Sequence, residues 1–170
     1  SGLGVSGVTG ADLLCQNDAH NPNNGATYKA LLVDGTNRVA CTTTDCGTGG
    51  ATENVDWVFA PGTDYFRSDE FDFDGDTDTT ELISMFTTNA SGIYIWGNVP
   101  SGFATGGRRH RTGIITGWRP GTDCNNFTSH SGSVFSRTGF LNATNANLVA
   151  SGSSPGCAAV TNWHVICVEQ

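Results

Sequence analysis

The sequence predicts one α+β domain built from one or two helices, many short strands and long loops. Three observations favour this class. The chain has 170 residues, a length typical of a single domain. Helical spacing occurs near the start, whereas elsewhere short apolar runs alternate with turns rich in glycine, proline and asparagine. Six cysteines accompany a single methionine, which indicates maturation in an oxidising compartment where disulfides persist.

The amino-terminal part predicts an extended segment followed by a helix. Residues 1–9 are small and uncharged, and their apolar members alternate with glycine, which suits an extended chain. The domain itself is predicted to cover residues 10–170. It begins with a helix over about 10–20, where Thr9 and Asp12 resemble a capping box. The sequence Asn-Pro-Asn-Asn-Gly then ends the helix.

The rest of the chain predicts short strands. Apolar runs that end at turn signals indicate extended structure at 28–33, 55–59, 93–96, 114–118 and 162–168. Between these runs lie the acidic stretch 64–81, the glycine-rich segment 97–113 and the polar region 121–156. Long loops on a disulfide-tied scaffold usually carry binding and not packing.

Cysteine spacing alone leaves the pairing open. The cysteines are Cys15, Cys41, Cys46, Cys124, Cys157 and Cys167. They permit many connectivities, and a nested set that joins the two ends of the chain is only one of them. Metal binding is the alternative to disulfides. It is disfavoured because no CxxC pair occurs and no cysteine has a histidine at zinc-finger spacing.

The composition argues against nucleic acid and against membrane insertion. Sixteen acidic and eight basic residues give a formal net charge of −8, which opposes binding to phosphate backbones and to anionic membrane surfaces. No apolar run is long enough to span a bilayer. The chain begins at Ser1 without a leader, as expected of a secreted protein whose signal has been removed or of a trimmed chain. We therefore expect an extracellular or cell-surface location.

The acidic stretch suggests a calcium site. Eight of the sixteen acidic residues lie between Asp64 and Glu81. Five carboxylates and a central glycine follow the spacing of an EF-hand loop, although no clear helices flank them; they are Glu70, Asp72, Asp74, Gly75, Asp78 and Glu81. Calcium is a hypothesis, and no other cofactor is expected. A solvated acidic turn, with Phe71 and Phe73 packed inward, is the favoured alternative.

The single basic cluster suggests a ligand-binding surface. It consists of Arg108, Arg109, His110 and Arg111. Guanidinium groups in this density could bind a sulfated glycan or a phosphate-bearing polymer. The alternatives are pairing with an acidic stretch and, favoured over both, a solvated loop. Among the four tryptophans, Trp118 is the best candidate for an exposed aromatic that contacts a ligand, although burial in the core is favoured for it too.

Three N-x-S/T sequons, at Asn89, Asn126 and Asn142, would become glycosylation sites in a host that glycosylates asparagine. They are weak signals, because short matches occur readily in a chain rich in asparagine and threonine.

No pattern predicts an enzyme. The four histidines, His20, His110, His130 and His164, are scattered, and no G-x-S-x-G elbow surrounds a serine. The cysteines fit disulfides better than nucleophiles. No residue is therefore assigned a catalytic role.

Several segments resemble a bacterial domain-of-unknown-function family found in spirochaete surface lipoproteins; they are GADLLCQNDA, YKALLVDGTNRVAC, DWVFAPGTDYF, IWGN and HVICVEQ, together with Cys124. Their order and spacing are also similar to collagen endostatin domains, which belong to the C-type lectin-like superfamily. The resemblance runs over nearly the whole chain and implies a C-type lectin-like (endostatin-like) fold. It also implies nested disulfides, with Cys15–Cys167 around Cys124–Cys157 and Cys41–Cys46 as a local clip.

The resemblance does not extend to the family's ligand sites. The EPN, QPD and WND tripeptides with which C-type lectins hold calcium and sugar are absent, and no histidine precedes His20 to form the endostatin zinc site. A lectin-like fold therefore does not imply calcium-dependent sugar binding here.

Two functions follow from these expectations. The first is a non-enzymatic extracellular module that binds a protein or a glycan through loops within 97–156. The alternative is a self-assembling subunit of an extracellular filament or surface layer. In that case segment 1–9 would add as a strand to a neighbouring copy. Opposite charges at 64–81 and 108–111 would support head-to-tail contacts.

Overall fold

The computed structural model describes residues 7–19, 21–22, 24–68, 82–97, 99–104, 106–158 and 163–170. In these ranges the helices are α1 (Gly7–Gln16) and a four-residue turn, α2 (Cys124–Phe127). The strands are β1 (Tyr28–Ala30), β2 (Asp64–Ser68), β3 (Leu82–Thr87), β4 (Arg109–Arg111), β5 (Ile114–Ile115), β6 (Arg119–Pro120), β7 (Thr138–Phe140), β8 (Trp163–His164) and β9 (Cys167–Glu169). Short 3-10 turns lie at Thr44–Cys46, Gly50–Glu53 and Ala146–Leu148. This mixture confirms the α+β prediction.

Helix α1 begins three residues before its predicted start, so residues 7–9 are helical and the prediction of an extended 1–9 is wrong for them. Val8 explains the difference. It lies three residues before Ala11 and seven before Cys15, so one more turn places it on the same buried face. That face packs against a second cluster of buried side chains, which contains Tyr28, Ala30, Leu32 and Phe127. Residues 1–6 lie outside the described ranges.

The two ends of the domain lie side by side. Strand β1 pairs antiparallel with β9, and Lys29 is the register partner of Val168. The Cys15–Cys167 disulfide bonds α1 to the same strand β9. The other disulfides are Cys41–Cys46 and Cys124–Cys157. This is the nested pairing that the family resemblance implied.

The main core is aromatic and is built around Trp118, which solvent does not reach. Rings that lie within about 6.5 Å of one another join Trp118 to the hairpin of β2 and β3; they are Trp57, Phe59, Tyr65, Phe86, Tyr94 and Trp96. The predicted strand at 93–96 is irregular and belongs to no described sheet. Two of its residues, Ile93 and Tyr94, are buried in this core.

Strands β2 and β3 pair at the two ends of the acidic stretch, at positions where no strands were predicted. Strand β2 occupies the first five residues of the stretch, and β3 begins directly after its last residue. Tyr65 and Phe86 pack inward against Phe59, while Phe66 on the opposite face is half exposed. A bulge between Tyr65 and Phe66 breaks the regular pairing. The connection between the two strands lies outside the described residues.

Strand β4 lies at the centre of a three-stranded sheet in the order β7-β4-β8. It pairs antiparallel with β7 and parallel with β8. The glycine-rich segment and the polar region, for which no strands were predicted, thus each contribute a strand. Gly139 permits the close approach on β7, since a Cβ there would lie 2.0 Å from the carbonyl oxygen of Leu148.

Arg38 joins α1 to the rest of the fold and is fully buried. Its guanidinium donates to both carboxylate oxygens of Asp12 at 2.9 and 2.7 Å, and to Oδ2 of Asp56 at 2.5 Å. It also donates to the carbonyl oxygen of Ala30 at 2.7 Å. A buried guanidinium is tolerated because two carboxylates compensate it.

Across the described ranges, no helix has the length and apolar character needed to cross a membrane.

Candidate binding surface

The predicted basic cluster does not form one continuous patch. Arg108 is exposed and Arg109 half-buried, whereas His110 and Arg111 are buried. Leu141 donates its N–H to the Arg108 carbonyl oxygen at 2.9 Å, so the β4–β7 ladder includes this residue. Successive side chains of a strand point to opposite faces. Arg108 and Arg109 therefore lie on different sides of the sheet.

Arg109 presents its charge beside a polar turn. Its Nη1 donates to the hydroxyl of Ser153 at 2.5 Å, and its guanidinium carbon lies 4.6 Å from the ring centroid of Phe140. A cation over an aromatic face is stabilised by the ring quadrupole. In the described part of the chain, no carboxylate forms an ion pair with this guanidinium.

Arg137, the residue directly before β7, contacts the same turn. Its Nη1 donates to the carbonyl oxygen of Gly152 at 2.9 Å, one residue from the contact of Arg109. It lines a small pocket of about 90 Å³ with Ile114, Ile115, Thr116, Ala150 and Gly152. No carboxylate among the described residues pairs with Arg137 either. We call Arg109, Arg137 and the turn 151–153 the arginine surface.

Sequence reasoning missed Arg137 because it stands alone between uncharged neighbours. The distribution of charge along the chain could have indicated it. Residues 1–99 carry fourteen of the sixteen acidic side chains and three of the eight basic ones. Residues 100–170 carry five arginines and only two acidic residues. Arginines in the second part therefore have few carboxylates to pair with.

A family model described as a protein of unknown function, DUF1554, matches residues 2–144. The chain belongs to the DUF1554 family. No curated protein matches the sequence. The predicted membership of a domain family of unknown function is thus confirmed.

Arg111 holds the interior of the DUF1554 domain and does not fit the predicted contact with a surface ligand. Its Nη1 donates to the sulfur of Cys124 at 3.2 Å, and its Nη2 donates to the carbonyl oxygen of Gly156 at 3.3 Å. Burial lowers the pKa of Arg111. The side chain thus ties β4 to the two segments that the Cys124–Cys157 disulfide joins.

Trp118 is likewise placed inside, so its predicted contact with a ligand does not fit the structure. Its side chain is 0% exposed, and its Nε1 donates to the carbonyl oxygen of Tyr94 at 3.2 Å. A large aromatic between glycine-rich turns is drawn into the core by its apolar area. Solvent reaches other rings of this cluster in part, among them Trp96, which is half-buried.

Two histidines lie in register on β4 and β8 of the DUF1554 domain, His110 opposite His164. His110 is fully buried against the ring of Phe103, with ring centroids 5.6 Å apart. Neither of its nitrogens has a hydrogen-bond partner within the described ranges. Burial and, second, the nearby His164 lower the pKa of His110 to about 3. Burial and the charge of Arg108 also lower the pKa of His164.

The predicted calcium ligands, Glu70, Asp72, Asp74, Asp78 and Glu81, lie outside the described residues. Calcium therefore stays a prediction, which titration calorimetry tests: no heat at millimolar calcium would remove it. Within the described residues, no group of three or more histidine, cysteine, aspartate or glutamate side chains is arranged to hold a metal ion.

The three sequon asparagines differ in accessibility. Asn89 and Asn142 are exposed, although the side-chain oxygen of Asn89 accepts the backbone N–H of Ser91 at 2.8 Å. Asn126 is half-buried in a left-handed turn with φ of 55°. Glycosylation stays a prediction at all three positions.

Proposed function

We propose that this DUF1554 domain is a non-enzymatic extracellular module with a C-type lectin-like fold that binds an acidic glycan or an acidic protein surface. The observation that carries the proposal is the arginine surface, where Arg109 and Arg137 meet one turn without a carboxylate partner among the described residues. Guanidinium groups bind sulfate, phosphate and carboxylate through charge-assisted, often bidentate hydrogen bonds.

The architecture supports a role in binding. The first helix and the last strand are bonded through Cys15 and Cys167, and β1 pairs with β9 beside them. Many of the described residues between these ends lie in loops. The disulfide and the β1–β9 pair fix the ends of the chain, so the loops extend from a rigid junction. The three disulfides are compatible with an oxidising, extracellular location.

Heparin chromatography tests the proposal. We expect the wild-type domain to be retained at low salt and to elute as salt rises, because the contact is electrostatic. The double variant Arg109→Ala plus Arg137→Ala should elute early. Arg119→Ala is the matched control, since it removes an exposed arginine from the separate β5–β6 sheet. Equal retention of the double variant and the wild type would contradict the glycan version.

A second candidate is self-assembly into a filament or surface layer, and the uneven charge distribution favours it. Acidic side chains are concentrated in residues 1–99, and five of the eight basic residues, all arginines, lie in residues 100–170. Head-to-tail contacts between such regions generate open filaments when the rotation does not close. Strand addition by 1–9 is weakened as a route, since residues 7–9 belong to α1. Light scattering decides between the candidates: a monomer at high concentration and low salt would dispose of assembly.

A further inference from the structure

A partly exposed indole and a carboxylate lie side by side at the edge of the aromatic core, and neither residue belongs to the arginine surface. Nε1 of Trp96 donates to Oδ1 of Asp45 at 3.2 Å. Trp96 is half-buried and Asp45 is exposed. Ile95, which directly precedes Trp96 in the chain, is 68% exposed. We call Trp96, Asp45 and Ile95 the indole site.

The indole is held rigidly from below. Trp118 stacks on one face of Trp96, with ring centroids 4.7 Å apart and planes inclined by 16°. Tyr94 contacts it edge-on at 5.6 Å. Trp118 thus covers one face of Trp96, and the ring as a whole stays partly exposed. A ligand on the exposed part of the ring would meet an indole that loses little conformational freedom on binding.

The backbone of Asp45 is also held in place. Its N–H donates to the carbonyl oxygen of Gly117 at 2.9 Å, and its φ of 53° lies in the left-handed region. The Cys41–Cys46 disulfide closes the loop around it. The carboxylate of Glu53 accepts the N–H groups of the same loop, at Thr42, Thr43 and Gly49, at 2.6–2.8 Å. The loop that carries the Asp45 carboxylate is thus held both by the disulfide and by the hydrogen bonds to Glu53.

The charge at this position is uncompensated. In the described part of the chain, no arginine or lysine forms an ion pair with Asp45, and no guanidinium lies over the ring of Trp96. Residues 1–99, which include the indole site, carry fourteen acidic and three basic side chains. A cation is attracted both by the face of an indole and by a neighbouring carboxylate. The alkyl stem of a lysine or arginine would also cover the exposed Ile95.

From these contacts we infer that the indole site binds a lysine or arginine side chain of a basic protein partner. The ammonium or guanidinium group lies over Trp96 and forms an ion pair with Asp45, and the stem packs on Ile95. This contact is separate from the arginine surface and recognises the opposite charge. One domain would therefore bind an acidic and a basic partner at two different places.

Fluorescence anisotropy with a labelled hexalysine peptide tests the inference. Asp45→Asn and Trp96→Leu should each weaken binding about tenfold, the second without any change in charge. Asp64→Asn is the matched control, because it removes an exposed carboxylate from β2 and leaves the indole intact. We expect it to change binding by less than about threefold.

The outcomes separate the alternatives. Hexalysine affinities of Asp45→Asn and Trp96→Leu that equal the affinity of Asp64→Asn would overturn the inference, since only the general charge would then matter. If the wild-type domain binds maltohexaose, and Trp96→Leu abolishes this binding but leaves hexalysine binding unchanged, the inference is overturned. The ligand of the indole site would then be a neutral sugar and not a cation. If Trp96→Leu does not fold, Trp96→Phe with Asp45→Asn decides by the same comparison. Arg109→Ala plus Arg137→Ala should leave hexalysine binding intact, so failure here is distinct from failure of the proposed function.

Discussion

Cys15 on the first helix is bonded to Cys167 on the last strand, and the backbone of that strand pairs with β1 over three residues. The covalent bond and the strand pair reinforce the same junction. The ends of the chain are therefore fixed beside each other, and the chain between them carries the arginine surface and the indole site.

Removing this bond should cost more stability than removing the local clip. The loop that Cys15–Cys167 closes spans 152 residues, whereas Cys41–Cys46 spans 5. In the chain-entropy model the long loop contributes about 4–5 kcal/mol and a short one less. Denaturant unfolding of Cys15→Ser plus Cys167→Ser, against Cys41→Ser plus Cys46→Ser, measures both. Equal losses would mean that the junction is held by the strand pair alone.

Arg38→Ala should destabilise the fold by about 2–4 kcal/mol, because it empties a fully buried position and removes the hydrogen bonds to Asp12, Asp56 and the Ala30 carbonyl oxygen. Arg119→Ala, at an exposed arginine, should cost less than about 0.5 kcal/mol. Urea unfolding of the two variants gives the comparison. A loss for Arg38→Ala no larger than that of the control would show that the network is not structurally important.

Acid should weaken the domain through its buried histidine. The pKa of His110 is lowered to about 3 in the fold, whereas the unfolded chain binds this proton near pH 6.5. The unfolded state therefore holds more protons, and the free energy of unfolding falls as the pH drops below about 6.5. The slope for one histidine is about 1.4 kcal/mol per pH unit, and His164 adds to it in the same direction.

His110→Leu should flatten this dependence between about pH 6.5 and 4.5, a window above the range in which the paired carboxylates are protonated. His130→Gln is the control, since His130 is exposed. Thermal unfolding across this range measures the slopes. An unchanged slope in His110→Leu would contradict the buried, neutral state of His110.

Gly139→Ala should be severely destabilising. The added methyl would lie 2.0 Å from the Leu148 carbonyl oxygen and 2.6 Å from Cε1 of His110, in a sheet that cannot open without losing its hydrogen bonds. Gly106→Ala is the control, because no atom lies within 4 Å of a Cβ there. Circular dichroism melts of the two variants should differ by many degrees. Similar melts would show that β7 can move away from β4.

What the sequence could predict depended on whether the signal was local. The turns after 20 and 33 and the face formed by Ala11 and Cys15 are local patterns, and they located the elements only in part. Helix α1 starts and ends earlier than predicted, β1 ends at Ala30, and β9 overlaps the predicted strand only at Cys167 and Val168. Strand β4 is the tripeptide Arg-His-Arg, which has no apolar alternation. Its extended form depends on hydrogen bonds to residues about thirty and fifty positions away. A short stretch of sequence does not predict pairing between strands so far apart in the chain.

The candidate sites were predictable to an even smaller extent. Neighbours in sequence diverged, since Arg108 and Arg109 point to opposite faces and Arg111 is buried. Distant residues converged, since Arg109 and Arg137 share one turn and Trp96 meets Asp45. A fold of long irregular segments brings side chains together by contacts that no spacing rule describes.

Titration of the isotopically labelled domain with a heparin hexasaccharide tests the arginine surface most directly. The account predicts that the NMR shifts concentrate on the Nε–Hε groups of Arg109 and Arg137 and on the amides of 151–153. Shifts that avoid these groups, or no shifts at saturating ligand, would contradict it.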